Sequence, residues 1–182
     1  VSYFGIRTVI SGGQTGADQA GLVAAFNVNL STGGWCPAEW RTNLGPMPLL
    51  EVLGVKCMDD RGYAARTSRN VLESDGTIIF GYDLSSPGSK LTARECAEAG
   101  KPCLRIEFPL PATGRDAVPV SETQRQQVES IVSFILKNEI ETLNVAGNRD
   151  TDANLSNFKM TKSYLELAFK ELQWLGKLQP WT

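Results

Sequence analysis

A chain of 182 residues can bury a full hydrophobic core without metal or disulfide support, and its 42% apolar and 21% charged residues are ordinary for a globular protein. With 18 basic and 20 acidic residues the formal net charge is −2, which lacks the basic excess that nucleic acid or an anionic membrane selects. Histidine is absent, so no Ser–His or Cys–His nucleophile pair can form and the commonest metal ligand is missing.

In chain order, IRTVI (6–10) is a β-branched run that predicts a first strand. The N-terminal stretch VSYFGIRTVI lacks the basic and apolar regions of a secretory signal, and no run approaches the ~20 apolar residues of a membrane span. SGGQTGADQ follows as a glycine-rich turn, and Leu22, Val23 and Phe26 set one apolar face of a helix behind it. This turn is neither G-x-G-x-x-G nor a G-x-x-x-x-G-K-[ST] phosphate loop. VNLST (28–32) is a weak second strand, and residues 33–60, with two Trp and no clean period, read as a long ordered loop. Ala64, Ser68 and Val71 suggest a small-residue helix face.

GTIIF (76–80) predicts a third strand, residues 89–99 a helix ended by Gly100 and Pro102, and PCLRIEF (102–108) a fourth strand. A helix over 121–137 opens with the capping-box spacing of Ser121 and Gln124, and carries Val128, Ile131, Val132 and Ile135 on one face. TLNVA (142–146) predicts a fifth strand, and a last helix over 161–175 aligns Leu165, Ala168, Leu172 and Leu175. Strands alternating with helices predict a single doubly wound α/β domain over 1–182, with a mainly parallel sheet flanked by helices. The four cysteines show no C-x-x-C spacing and read as reduced thiols of a cytoplasmic protein.

In a parallel sheet the strand carboxyl ends share one edge, where ligands bind. Three turns should meet there: residues 11–16, 81–92 and 146–154, all rich in Gly, Ser, Thr or Asn. The first N–H groups of a helix lack intrahelical partners and carry partial positive charge, and glycine lets the backbone approach an anion closely. Candidate binding residues are therefore Gly12, Gly13, Gln14, Thr15 and Gly16 in the first turn. The second turn offers Ser86, Gly88, Ser89, Lys90 and Thr92, and the third offers Asn148 with the guanidinium of Arg149. Taken singly, the first turn reads at least as well as a plain turn, SPGS reads better as a helix cap, and Arg149 as a surface charge. Together they predict a small anionic, phosphate-bearing ligand. Asp18 reads as a dipole-complementing residue, and Arg69 or Asn70 as residues of a solvated face or of the pocket.

SGGQTGADQAGL, GGWCP (33–37), RNVLESDGTIIF (69–80), GSKLT (88–92), KPCL (101–104) and LNVAGNRD (143–150), in this order, resemble the molybdenum cofactor carrier protein family, a branch of the Rossmann-like SLOG superfamily. The resemblance implies a Rossmann-like subunit of a homo-oligomer, with tetramers in characterised carriers. It also implies binding of molybdenum cofactor (molybdopterin), its storage and its transfer to apo-molybdoenzymes without reaction on it. Molybdate or phosphate would suit the same cradle. Pro87 stands where the family commonly has another glycine, and Asn148-Arg149-Asp150 replaces its P-R-E-S ending. Two alternatives are a SLOG nucleotide-binding module and a phosphoribohydrolase of the LOG (lonely guy) type. PGSKLTARE (87–95) lacks the paired glycines and Gly-Thr of the latter, and its Glu95 sits late.

Overall fold

A computed structural model describes residues 5–59, 62–110, 120–151 and 156–180. Strands β1 (Thr8–Ser11), β2 (Ser31–Cys36), β5 (Val55–Cys57), β6 (Gly76–Gly81), β7 (Cys103–Glu107) and β8 (Thr142–Gly147) form one sheet in the order β5-β2-β1-β8-β6-β7. Every pairing in it is parallel. A two-residue hairpin, β3 (Arg41–Thr42) with β4 (Gly45–Pro46), stands beside it. The helices are α1 (Ala17–Phe26), α2 (Tyr63–Leu72), α3 (Pro87–Glu98), α4 (Val120–Lys137) and α5 (Asn157–Trp174).

Alternation along the strands sorts the two sheet faces. Val9, Ile78, Phe80, Leu143 and Val145 join α1, α4 and α5 in the main core through Ala24, Ile131, Ile135, Leu165 and Phe169. α1 has almost no amphipathic pattern because it is buried on most sides, and Gly21 lets it lie directly on Val145. The opposite face, under α2 and α3, is more polar: buried Asn144 donates to Thr77 Oγ1 at 3.1 Å. This is an α/β Rossmann-like arrangement.

The strong strand and helix signals fall where the residue patterns put them. β2, however, occupies Ser31–Cys36 rather than 28–32, so the GGWC tetrad is strand. Glycine is a poor strand former, but Gly34 has φ +117° and backs onto the Ser11 backbone, where a Cβ could not fit. The stretch 33–60 is not a long loop: it holds the end of β2, the hairpin, a 3-10 turn over Pro48–Leu53, and β5. α3 and α5 begin earlier than expected, at Pro87 and Asn157. Some helix faces also differ. Phe26 is 51% and Leu175 42% exposed, and α2 buries Thr67, Asn70 and Val71 rather than Ala64 and Ser68. The Ser121 side chain lies outside the described residues, as do Trp181 and residues 152–154 of the third turn.

Candidate ligand-binding site at the carboxyl edge of the sheet

The chain runs from β1 outward to β2 and β5, crosses to β6 and β7, and returns to insert β8 between β1 and β6. Adjacent crossovers thus diverge on either side of β8, which opens a crevice at the carboxyl ends. The turn after β1 packs against the turn after β8. Gly16, at φ +80°, lies where a Cβ would strike the Asn148 carbonyl, and the Ala17 amide donates to that carbonyl at 3.1 Å.

Asn148 joins the turns after β6 and β8. Its Nδ2 donates to the Asp83 carbonyl (2.9 Å), Ser86 Oγ (3.2 Å) and Ser89 Oγ (3.3 Å), while its Oδ1 accepts from the Asp83 amide (2.9 Å). Ser86 caps α3 by accepting from the Ser89 amide, and Pro87 occupies the first turn, where its missing N–H leaves no gap. Beside this junction lies a cleft of about 550 Å³ lined by Tyr82, Asp83, Ser86–Gly88, Gly147–Arg149, Thr151 and Asn157. The amino ends of α3 and α5 both face it. A Cβ built on Gly88 would meet no described atom within 4 Å beyond its chain neighbours and its own helix backbone, so the α3 end is open. Buried Asn157 donates its Nδ2 to the Arg149 carbonyl at 2.9 Å, and its Oδ1 has no partner among the described residues. Asp83 keeps its charge at the rim, since the Ser85 hydroxyl and amide bond its carboxyl and hold it below the usual range.

Several groups of the glycine-rich turn are bonded within the protein. The Gln14 amide already donates to Asp18 Oδ2 at 3.2 Å, and Arg66 Nη1 meets the same oxygen at 3.0 Å. Gly12 admits the Arg66 guanidinium, which would occupy the space of a Cβ there. Burial raises the Asp18 carboxyl above its ordinary range, and Arg66, the Gln14 amide and Arg149 pull against that rise. Gln14 and Thr15 are buried and hold the segment after β2. Thr15 Oγ1 donates to Asn43 Oδ1 (2.7 Å), Gln14 Nε2 to the Arg41 carbonyl (3.2 Å), and the Asn43 amide to Gln14 Oε1 (3.1 Å). Gly13, at φ +72°, lies under Leu50.

Of the predicted residues, Ser86, Gly88, Asn148 and Arg149 line the cleft together. Gly12, Gly13, Gln14, Thr15 and Gly16 form the adjoining turn, joined to the cleft through Gly16 and Asn148. Ser89 and Thr92 are buried, bonded to Asn148 and to the Gly88 carbonyl respectively, and Lys90 is exposed outside the lining. Arg69 and Asn70 serve the Trp35 region instead. Arg69 covers the Trp35 ring at 3.4 Å from its centroid, and Asn70 bonds the Trp35 backbone amide and carbonyl. Residue patterns missed Arg66, Tyr63, Tyr82 and Asn157. The Tyr63 ring lies 6.0 Å from the Arg66 and 5.2 Å from the Arg149 guanidinium carbon. Among the described residues no cluster of three or more acidic, Cys or His side chains could hold a metal ion, and no helix is long and apolar enough to cross a membrane.

The family model for the circularly permutated YpsA SLOG family matches residues 9–167. Among solved structures, the "Putative molybdenum carrier protein" of Syntrophus aciditrophicus is similar, with 32% sequence identity and a TM-score of 0.77 over 91% of this chain and 96% of that one. No curated protein matches significantly. Ile6 bridges Leu178 in parallel, so the segment after α5 lies beside the start of β1. With the family model matching most of its length and the six parallel strands in this order, the chain belongs to the circularly permutated YpsA branch of the SLOG proteins.

Proposed function

We propose that this protein is a carrier that binds molybdenum cofactor through its phosphate and pterin, shields it, and passes it to apo-molybdoenzymes in the cytoplasm. The observation that carries the reading is the meeting of the α3 and α5 amino ends with Arg149 around one open cleft. The open, positive end of the α3 dipole at Gly88 and the Arg149 guanidinium suit a phosphate, and the cleft volume suits a ligand of pterin size. The α5 amino end is capped by Ser156 and Asp150. The glycine-rich turn, Gly12 to Gly16, supports the cleft from the β1 side, where Gly16 packs on the Asn148 carbonyl. The similar Syntrophus aciditrophicus protein is named for molybdenum carriage, which favours this cargo over a nucleotide. We further propose that the subunit self-associates, as a tetramer.

The phosphoribohydrolase reading draws little support from the geometry. Glu95 pairs with Arg94 at 3.6 Å and lines a shallow groove with Ser68, Leu72, Glu98 and Ala99, away from the cleft. The test is anoxic binding of molybdenum cofactor, with AMP and GMP in parallel and their products followed by chromatography. Saturable cofactor binding with intact nucleotides is expected, and release of free base would overturn the carrier reading. Gly88→Leu should abolish binding while leaving the thermal transition in place, because the new side chain fills open space at the α3 end. Arg149→Ala should weaken binding by removing about 1.5–3 kcal/mol of charge-assisted hydrogen bonding.

A further inference from the structure

Cys36 ends β2 and Cys57 ends β5, and the two are direct register partners across a parallel pairing. Adjacent strands lie about 4.8 Å apart, within the Cα separations a disulfide spans. The two sulfurs are 3.6 Å from each other, so closing to bonding distance takes a shift of about 1.5 Å, within reach of side-chain rotation. Their surroundings differ. Cys36 is fully buried, packed with Leu22, Leu50 and Val55, whereas Cys57 is partly exposed and accepts the Trp40 amide at 3.1 Å.

We propose that Cys57 and Cys36 form a thiol–disulfide exchange site, with Cys57 as the attacking thiol and Cys36 as the resolving one. With glutathione disulfide as oxidant, the Cys57 thiolate attacks one glutathione sulfur. The glutathione S–S bond breaks and one glutathione leaves as thiolate. Cys36 then gives its proton to that thiolate and attacks the Cys57 sulfur, expelling the second glutathione. Two protein thiols become one disulfide, and one glutathione disulfide becomes two thiols. Burial, with the neighbouring Cys57 sulfur, pushes the Cys36 thiol up to about 12, in keeping with Cys57, the partly exposed thiol, making the first attack. Bond formation draws Cys57 Sγ off the Trp40 amide, at the head of the Arg41–Asn43 segment that Gln14 and Thr15 hold. The proposal does not rest on the cargo assignment.

The test incubates the whole protein in buffers of increasing ratio of glutathione disulfide to glutathione, quenches with alkylating agent in denaturant, and maps all four cysteines by peptide mass. Wild type should lose the Cys36 and Cys57 thiols together to an internal disulfide that excess glutathione reverses. Cys36→Ala should instead retain glutathione on Cys57, and Cys57→Ser should leave Cys36 as a free thiol. Cys36 and Cys57 remaining free in wild type at every ratio would overturn the proposal, as would wild type accumulating glutathione on Cys57. The wild-type measurement stands by itself if either variant folds poorly.

Discussion

At the scale of single residues, Asp18 faces two opposing forces. Burial favours its neutral form, while Arg66, the Gln14 amide and Arg149 favour the carboxylate. The balance leaves its folded-state pKa raised above the ordinary carboxylate value. The unfolded chain therefore releases this proton first as pH rises, and stability contributed by the protonated group falls across that window. Arg66→Met removes the strongest counterweight and should raise the carboxyl further, making stability fall more steeply from about pH 4 upward. Breaking the buried pair should also cost about 3 kcal/mol near neutral pH. Urea midpoints measured across a pH series check both; parallel curves for the two proteins would contradict the account.

Tyr164 is shifted in the same direction without the partners that Asp18 has among the described residues. Its ring packs edge-on to Phe108 at 5.2 Å, but its buried hydroxyl has no partner among the described residues. Burial pushes its ionisation up to about 12, so relative to neutral pH the fold loses stability as pH rises from about 10 through the folded value. Tyr164→Phe should leave neutral-pH stability unchanged or raise it by up to about 1 kcal/mol, and should soften alkaline unfolding. A clear loss of thermal stability at pH 7 would show that the hydroxyl is satisfied in solution.

At the scale of elements, the site depends on how one turn grips another. Asn148 Nδ2 reaches three acceptors on the β6–α3 turn and its Oδ1 accepts from a fourth group. Asn148→Ala should therefore reduce stability by about 2 kcal/mol and weaken ligand binding beyond that of a rim substitution such as Lys90→Ala. Denaturant melts with parallel binding titrations separate the two effects. The carboxyl-edge turns were legible because β1, β6 and β8 are apolar, β-branched and bounded by glycine or asparagine. β5 was not, because three residues carry too little periodicity, and the glycines of β2 hid the strand before it. With β5 unseen, α2 did not follow a strand end, and Arg66, one turn into α2, gave no reason to belong to the site.

For the whole molecule, the described exposed apolar residues include Trp174 at 85%, Phe26 at 51% and Leu167 at 43%, on the packed pair α1 and α5. Burying such a surface in a subunit contact would contribute roughly 25 cal/mol per Å² of apolar area. Light scattering at micromolar concentration should give a multiple of the subunit mass, and Trp174→Glu should lower it. A wild-type monomer would remove the support for self-association.

The sequence by itself determined the alternation of strands and helices, the parallel sheet and the glycine-rich turns, because each rests on local period and turn chemistry. It also carried the family resemblance, which resides in short ordered motifs. Only the tertiary structure decided how those turns divide their work. The Gln14 amide is taken by Asp18, Gln14 and Thr15 hold the segment after β2, and the cleft opens instead between α3 and α5. The pairing of Cys36 with Cys57 was hidden for the same reason. Which donor meets which acceptor, and which thiol meets which, depends on strand order and register between distant segments, and no local pattern encodes them.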